Sequence, residues 1–312
     1  MTTTSSTTTA PGPRVRRRRI YLGSVKVPWL FAVPAIVIIL LLRYIPSIAG
    51  GAYAFTDWNG SSLSANWAGV SNFQKIFADP AVSGALWHTL VLAVLFVIIV
   101  NIVGLALALS LRTTLKTKSV LRALFFLPFA LSQLATAYIW QFVFAYDGPL
   151  NVVLKAVGLG GSVKSWLSDP QFALIAILVV VVWQYTGLTM IIYLAGLEGI
   201  SEEITDAAAV DGASFLQRFR WVTLPLLAPA MTIAISLTLI FGLGVFDQIL
   251  GLTGGGPVDS TQTIATQVWQ QTFVYGNFAQ GSALALLFAA LVSVLALLQV
   301  FILRIRERRL EK

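Results

Sequence analysis

The sequence predicts an all-α membrane protein with six transmembrane helices and both termini in the cytoplasm. Three observations carry that prediction. The chain is 57% hydrophobic and only 11% charged over 312 residues, more apolar and less charged than soluble domains are. Six apolar runs reach the roughly 20 residues that a helix needs to cross a bilayer core of about 30 Å. Lysine and arginine are dense in alternate connections and sparse in the others.

The first run, 29–49, follows a basic stretch from Arg14 to Lys26, and "AYA" at 52–54 follows it as in a cleaved signal peptide. Five more runs follow, so an uncleaved anchor is the expectation. Arg43, beside Tyr44 near the outer end, is expected to snorkel to the headgroups. The other runs are 86–109, 120–144, 172–195, 226–248 and 280–303. Six basic residues precede the first run, four flank the second connection, two lie in the fourth and five follow the last run. The remaining connections, 50–85, 145–171 and 249–279, hold only Lys75, Lys155 and Lys164, which assigns them to the outside. The longest is 36 residues, too short for a sizeable external domain.

The chain thus divides into a basic cytoplasmic N-terminus (1–28), a six-span domain (29–303) and a basic tail (304–312). Residues 1–13, rich in Thr, Ser and Pro, are expected to be disordered. The net charge of +8 is accounted for by topology, so no nucleic acid is implied as a partner; membrane lipid is. The absence of cysteine excludes disulfides and thiolate chemistry. His88 is the lone histidine, so a His-based metal site or triad is not expected, and its place near the start of the second run makes it an interfacial residue.

Between the fourth and fifth runs, residues 196–225 form a polar loop that includes "SEEITDAAAVDGASFLQRFRWVTLP" from Ser201 to Pro225. Ser201 can cap a short helix, with Glu202 and Glu203 suiting the positive end of its dipole. Asp211-Gly212 supplies a turn, and Ser214 with Gln217 forms a capping box for a second helix carrying Phe215, Phe219 and Val222 on one face. Ala207, Ala208 and Ala209 leave a thin surface that another protein can approach. Such an elbow either packs on its own spans at the membrane surface or docks a partner. A DNA-reading helix-turn-helix does not fit, because the segment is tethered between spans and its first helix is acidic.

"DAAAVDGASFLQRFRWVTLPLLAP", Asp206 to Pro229, resembles the EAA loop of the membrane-spanning subunits of bacterial binding-protein-dependent ABC importers for sugars, the maltose-type permeases. Asp206, Ala207 and Ala208 stand at the loop's Glu-Ala-Ala, Asp211-Gly212-Ala213 at its Asp-Gly-Ala, and Leu224-Pro225 at its closing Leu-Pro. "PSIAGGAYAFTDWN", "FFLPFALS" and "LTGGGP" extend the similarity over roughly residues 25–308. Two positions depart from the pattern: Asp206 replaces a glutamate, and Ser201 stands where proline is common.

The resemblance implies that Asp206, Ala207, Ala208, Asp211, Gly212, Phe215 and Phe219 couple this chain to an ATPase. It also implies a second permease subunit, two ATPase subunits that hold ATP and Mg, and an extracellular solute-binding protein. No cofactor is expected in this chain, which is read as a transport subunit and not an enzyme. "GLGGSVKS", Gly158 to Ser165, is no phosphate loop, since Val163 stands where the second glycine must be.

The residues that sugar would pass are read as Gln133, Trp183, Gln184 and Tyr185, which with Asn101 fall at mid-membrane depth. An aromatic face beside amides suits a sugar, and hydrogen bonds between helices account for the same residues. Asp247-Gln248 at the outer end of the fifth run faces a binding protein or the headgroups, and Thr253 to Thr263 reads as a mobile loop. A secondary transporter or channel is the rival class. It usually carries acids at span centres or broken helices in repeated halves, and the runs show no central Asp or Glu and no repeat.

Overall fold

A computed structural model of the chain describes residues 31–112 and 117–310, with backbone only for 306–310. The disorder expected for residues 1–13 lies outside the described residues. Among them the chain is helical throughout, with no strand beyond an isolated bridge between Thr56 and Trp67. Packing divides the chain at Ile48/Ala49. The first unit holds most of helix α1 (Val33–Tyr53), which widens locally through a π turn at Leu40–Tyr44. All that follows belongs to the second unit.

Helix α2 (Ser71–Ala78) lies in the first long connection and leads into α3 (Pro80–Leu111). Asp79 caps α3 by accepting from the Ala81 N–H at 2.9 Å, and Pro80 opens it where a missing N–H costs nothing. The next apolar run, expected as one span over 120–144, is two helices, α4 (Lys118–Ala130) and α5 (Gln133–Val143), bent by 99°. Pro128 weakens the last turn of α4, and Leu131 and Ser132 take extended backbone. A short α6 (Pro149–Ala156) precedes α7 (Pro170–Glu198), which repeats the Asp-Pro start: Asp169 accepts from Gln171 N–H at 2.9 Å.

The elbow folds as α8 (Glu202–Val210) and α9 (Phe215–Leu226), and α9 meets α10 (Ala228–Leu243) at a 70° bend on Leu227. Here too the expected single run, 226–248, is interrupted: α10 stops at Leu243, and α11 (Asp247–Leu252) starts anew after Gly244. Helix α12 (Ile264–Trp269), extended by a π turn at Gln270–Val274, precedes α13 (Phe278–Leu310). Among the described residues four helices, α1, α3, α7 and α13, are long and apolar enough to cross a membrane, and the number rises to six where each bent pair counts as one span.

Helices α3 and α7 form the centre of the second unit. Gly104 lets them cross closely, its Cα facing Thr189 and the Met190 backbone, and Thr189 Oγ1 donates to the Val100 carbonyl at 3.1 Å. Phe96, Val100, Ile177 and Val181 fill the core at one end of this pair, and Leu111, Met190, Leu197 and Leu227 fill it at the other.

Thr253 to Thr263 is packed where the sequence predicts mobility. Thr261, Gln262 and Thr263 are buried, Thr253 and Thr261 hydroxyls meet at 2.8 Å, and His88 Nδ1 lies 3.1 Å from the Gln262 carbonyl. His88 is thus half-buried against this loop. Gly254, Val258 and Asp259, all at positive φ, are its exposed residues.

Candidate functional site

The elbow forms as its residues dictate. Ser201 Oγ accepts from Glu203 N–H at 3.3 Å, and Ser214 and Gln217 exchange two bonds, at 2.7 and 3.4 Å. Gly212 sits at φ +80° just past the C-cap Asp211, and Ala213 N–H reaches back to the Ala208 carbonyl at 3.0 Å. This six-to-one closure with glycine in the left-handed position is the Schellman ending of a helix.

Asp206, Ala207, Asp211 and Gly212 are exposed, and Ala208 is half-buried. Phe215 is 73% exposed, while Phe219 is half-buried and opens a π turn, Phe219–Thr223, that shifts the expected Phe215, Phe219, Val222 stripe out of register. Phe215, Phe219 and Asp206 line a cleft of about 490 Å³ together with Leu109, Arg112 and Arg218. The elbow thus leans on the end of α3 at one side and leaves Leu216 and Trp221 bare at the other, 70% and 72% exposed.

The second cluster lies where the two interrupted runs meet α7. Gln184 is buried and donates through Nε2 to the Leu131 carbonyl at 3.2 Å, the carbonyl freed by the break between α4 and α5. Its Oε1 accepts from Gln248 Nε2 of α11 at 3.0 Å. Gln133, the first residue of α5, donates to the Tyr185 hydroxyl at 2.6 Å. The Tyr185 ring is enclosed by Phe96, Phe129 and Phe241 at centroid distances of 5.6, 5.7 and 5.1 Å. Backbone released inside a bilayer must find partners in the protein; Gln184 holds such a carbonyl at the first break and, through the Gln248 side chain, ties it to the helix that follows the second.

Trp183 turns away from this junction. It meets Trp140 edge-on at 5.4 Å and lines an apolar groove of about 760 Å³ with Pro128, Leu131 and Val179. Asn101 joins three helices: its Nδ2 donates to Thr238 Oγ1 at 2.9 Å and its Oδ1 accepts from Tyr193 at 2.7 Å. Thr238 is a partner that sequence reasoning missed, and Gln248, expected to face a binding protein or the headgroups, is buried against α7 instead. Gln248 was visible as an amide closing an apolar run, but its contact with a residue 64 positions earlier was not.

An all-helical chain with several helices long and apolar enough to cross a membrane, two interrupted apolar runs joined by amides and a polar elbow defines a class, the multi-pass membrane protein. Known proteins bear out the resemblance at the level of the family. The chain belongs to the binding-protein-dependent transport system inner membrane components, whose pattern matches residues 100–312. It is 37% identical over 269 residues to a probable ABC transporter permease protein of Pyrococcus horikoshii, covering 85% of this chain and 92% of that one. It is 33% identical over 279 residues to a probable starch degradation products transport system permease protein of Thermoanaerobacterium thermosulfurigenes, covering 89% and 94%. A chain in the crystal structure of a bacterial ABC transporter involved in the import of the acidic polysaccharide alginate shares the fold. Their TM-score is 0.77 over 91% of this chain and 96% of that one, at 23% identity.

Proposed function

We propose that this chain is a permease subunit of an ABC importer in the bacterial plasma membrane and that its cargo is a sugar or a related polyol. Relatives named for starch degradation products and for multiple sugars support the class of cargo. ATP and Mg belong to two separate ATPase subunits, and a second permease completes the membrane pore. An extracellular solute-binding protein delivers the substrate. The distribution of lysine and arginine supports a cytoplasmic location for both termini and for the elbow.

The observation that carries this reading is the bare elbow. Phe215, Leu216 and Trp221 each expose a large apolar side chain on an elbow that also bares Ala207 and Gly212, the anatomy of a docking site whose anchors await a partner. Docked there, an ATPase moves the elbow as it closes on ATP and so biases the permease toward its outward-facing state. Mass spectrometry of the complex that co-purifies from the native membrane in mild detergent tests this. An ATPase and a second permease are expected. Recovery of the chain alone, while a control complex survives the same detergent, would overturn the proposal in favour of a secondary transporter.

A further inference from the structure

Glu198 is the last residue of α7, three positions before the elbow's cap at Ser201. A carboxylate there meets the negative end of its own helix dipole, the end that favours cations, so its placement calls for a partner. Arg122 of α4 supplies it, Nη2 donating to Glu198 Oε1 at 3.0 Å. The same nitrogen lies 3.3 Å from the Leu111 carbonyl, one of the last-turn acceptors that α3 cannot satisfy from within. One guanidinium therefore ties the ends of α3 and α7 to the start of α4, through the only ion pair between described residues.

Helix α4 is also the first half of the interrupted third span. Its backbone at Phe125 and Phe126 rests directly on Gly187 of α7, and beyond its end the Leu131 carbonyl is held by Gln184. A shift at the root of the elbow thus reaches the break through the ion pair and through a backbone crossing that cannot rotate aside. The side chains are 29% and 58% exposed, so solvent screens the pair and its loss should leave folding nearly unchanged.

We propose that Arg122 and Glu198 are positioning residues, a strut that carries movement of the elbow into the interrupted third span. The inference rests on the permease reading above. Its test uses the full ATPase-containing complex and a single reporter thiol, Ser132→Cys at the break, since the chain has no cysteine of its own. The probe is a water-soluble maleimide, with and without ATP and Mg.

In the reporter background ATP should change the labelling rate about 5-fold or more, within the usual range for coupled sites. Glu198→Gln and Glu198→Arg should each reduce that response to less than about 2-fold while the ATPase still co-purifies and hydrolyses ATP, and adding Arg122→Glu to Glu198→Arg should restore it. A full response in Glu198→Gln overturns the strut, as does a loss in Glu198→Arg that the swap fails to repair. If Glu198→Arg does not assemble, the isosteric Glu198→Gln decides alone. A reporter that ignores ATP also overturns it, whereas a complex without any ATPase removes the permease reading itself.

Discussion

A Cβ built on Gly187 would meet Phe126 Cα at 2.6 Å and the Phe125 carbonyl closer still. These are backbone atoms of α4, which cannot rotate aside as a side-chain tip would. Gly187→Ala should therefore force the two helices apart and lower stability by about 1–3 kcal/mol, seen as a lower melting temperature of the purified chain in detergent. An unchanged melting temperature would mean that α4 slides freely over α7. Outside the membrane, Asp57 accepts from the Asn66 backbone N–H at 2.7 Å and from its amide at 3.1 Å. The backbone bond, then the side-chain bond, hold its carboxyl below the ordinary 3.8. A depressed carboxyl pKa makes its contribution fully present above 3.8 and lost as pH falls through the lower folded value. Limited proteolysis of residues 57–66 should then be constant from about pH 7 to pH 5 and accelerate only below the normal carboxylate range. Acceleration already at the upper end would assign the loop's order to other groups. The sequence announces residues of this kind only as expensive. Asn101 and Gln184 stand out in apolar runs, yet Thr238 lies 137 positions from Asn101, and no local pattern joins them.

At the scale of elements, the elbow's helix ends were legible, since Ser201 opens α8 and the Ser214–Gln217 box opens α9, whereas the Asp-Pro starts of α3 and α7 were not read and the runs were begun at 86 and 172. The interruptions were not legible either. Hydropathy over 120–144 is continuous, because Leu131 and Ser132 break the helix by backbone torsion and the freed carbonyl is satisfied by α7, a contact that composition does not encode. The packed Thr253–Thr263 loop was missed for the same reason, since its glycines and hydroxyls signal a turn while its burial depends on His88 and Thr89 far away in sequence. The elbow offers a clean test because Gly212 has open space around it. A Cβ there meets nothing within 4 Å, so a substitution costs only the left-handed backbone, roughly 1–2 kcal/mol. Gly212→Arg should leave the chain inserted and folded but put bulk and charge on the docking face. Less ATPase should co-purify, or its ATP hydrolysis should proceed without uptake. A variant that retains its ATPase and imports normally would defeat the docking reading.

At the scale of the whole molecule, the third span poses a problem that this chain alone does not solve. Leu131 and Ser132 have extended backbone at the break, and both side chains are exposed. Ser132 makes no side-chain cap, so the first N–H groups of α5 lack that acceptor. Hydrocarbon does not tolerate such backbone; it must face another protein surface or water. On the reading proposed above, a permease pair with an aqueous route between its halves would supply both, and it would put Gln133 at the edge of that route with Gln184 and Tyr185 bracing it from behind. Ile102 of α3 is the contrasting position, 64% exposed on an unbroken apolar helix. With no native cysteine in this chain, Ser132→Cys and Ile102→Cys can be compared one at a time in the assembled complex without nucleotide, by the label carried on this chain's own band. A charged, water-soluble maleimide should label Ser132→Cys at least about 10-fold faster, because a thiol in hydrocarbon does not form the reactive thiolate. Equal and negligible labelling at both positions would mean that lipid or dry protein covers the break. In that case Gln133 would be a structural amide, and the sugar would have to pass elsewhere.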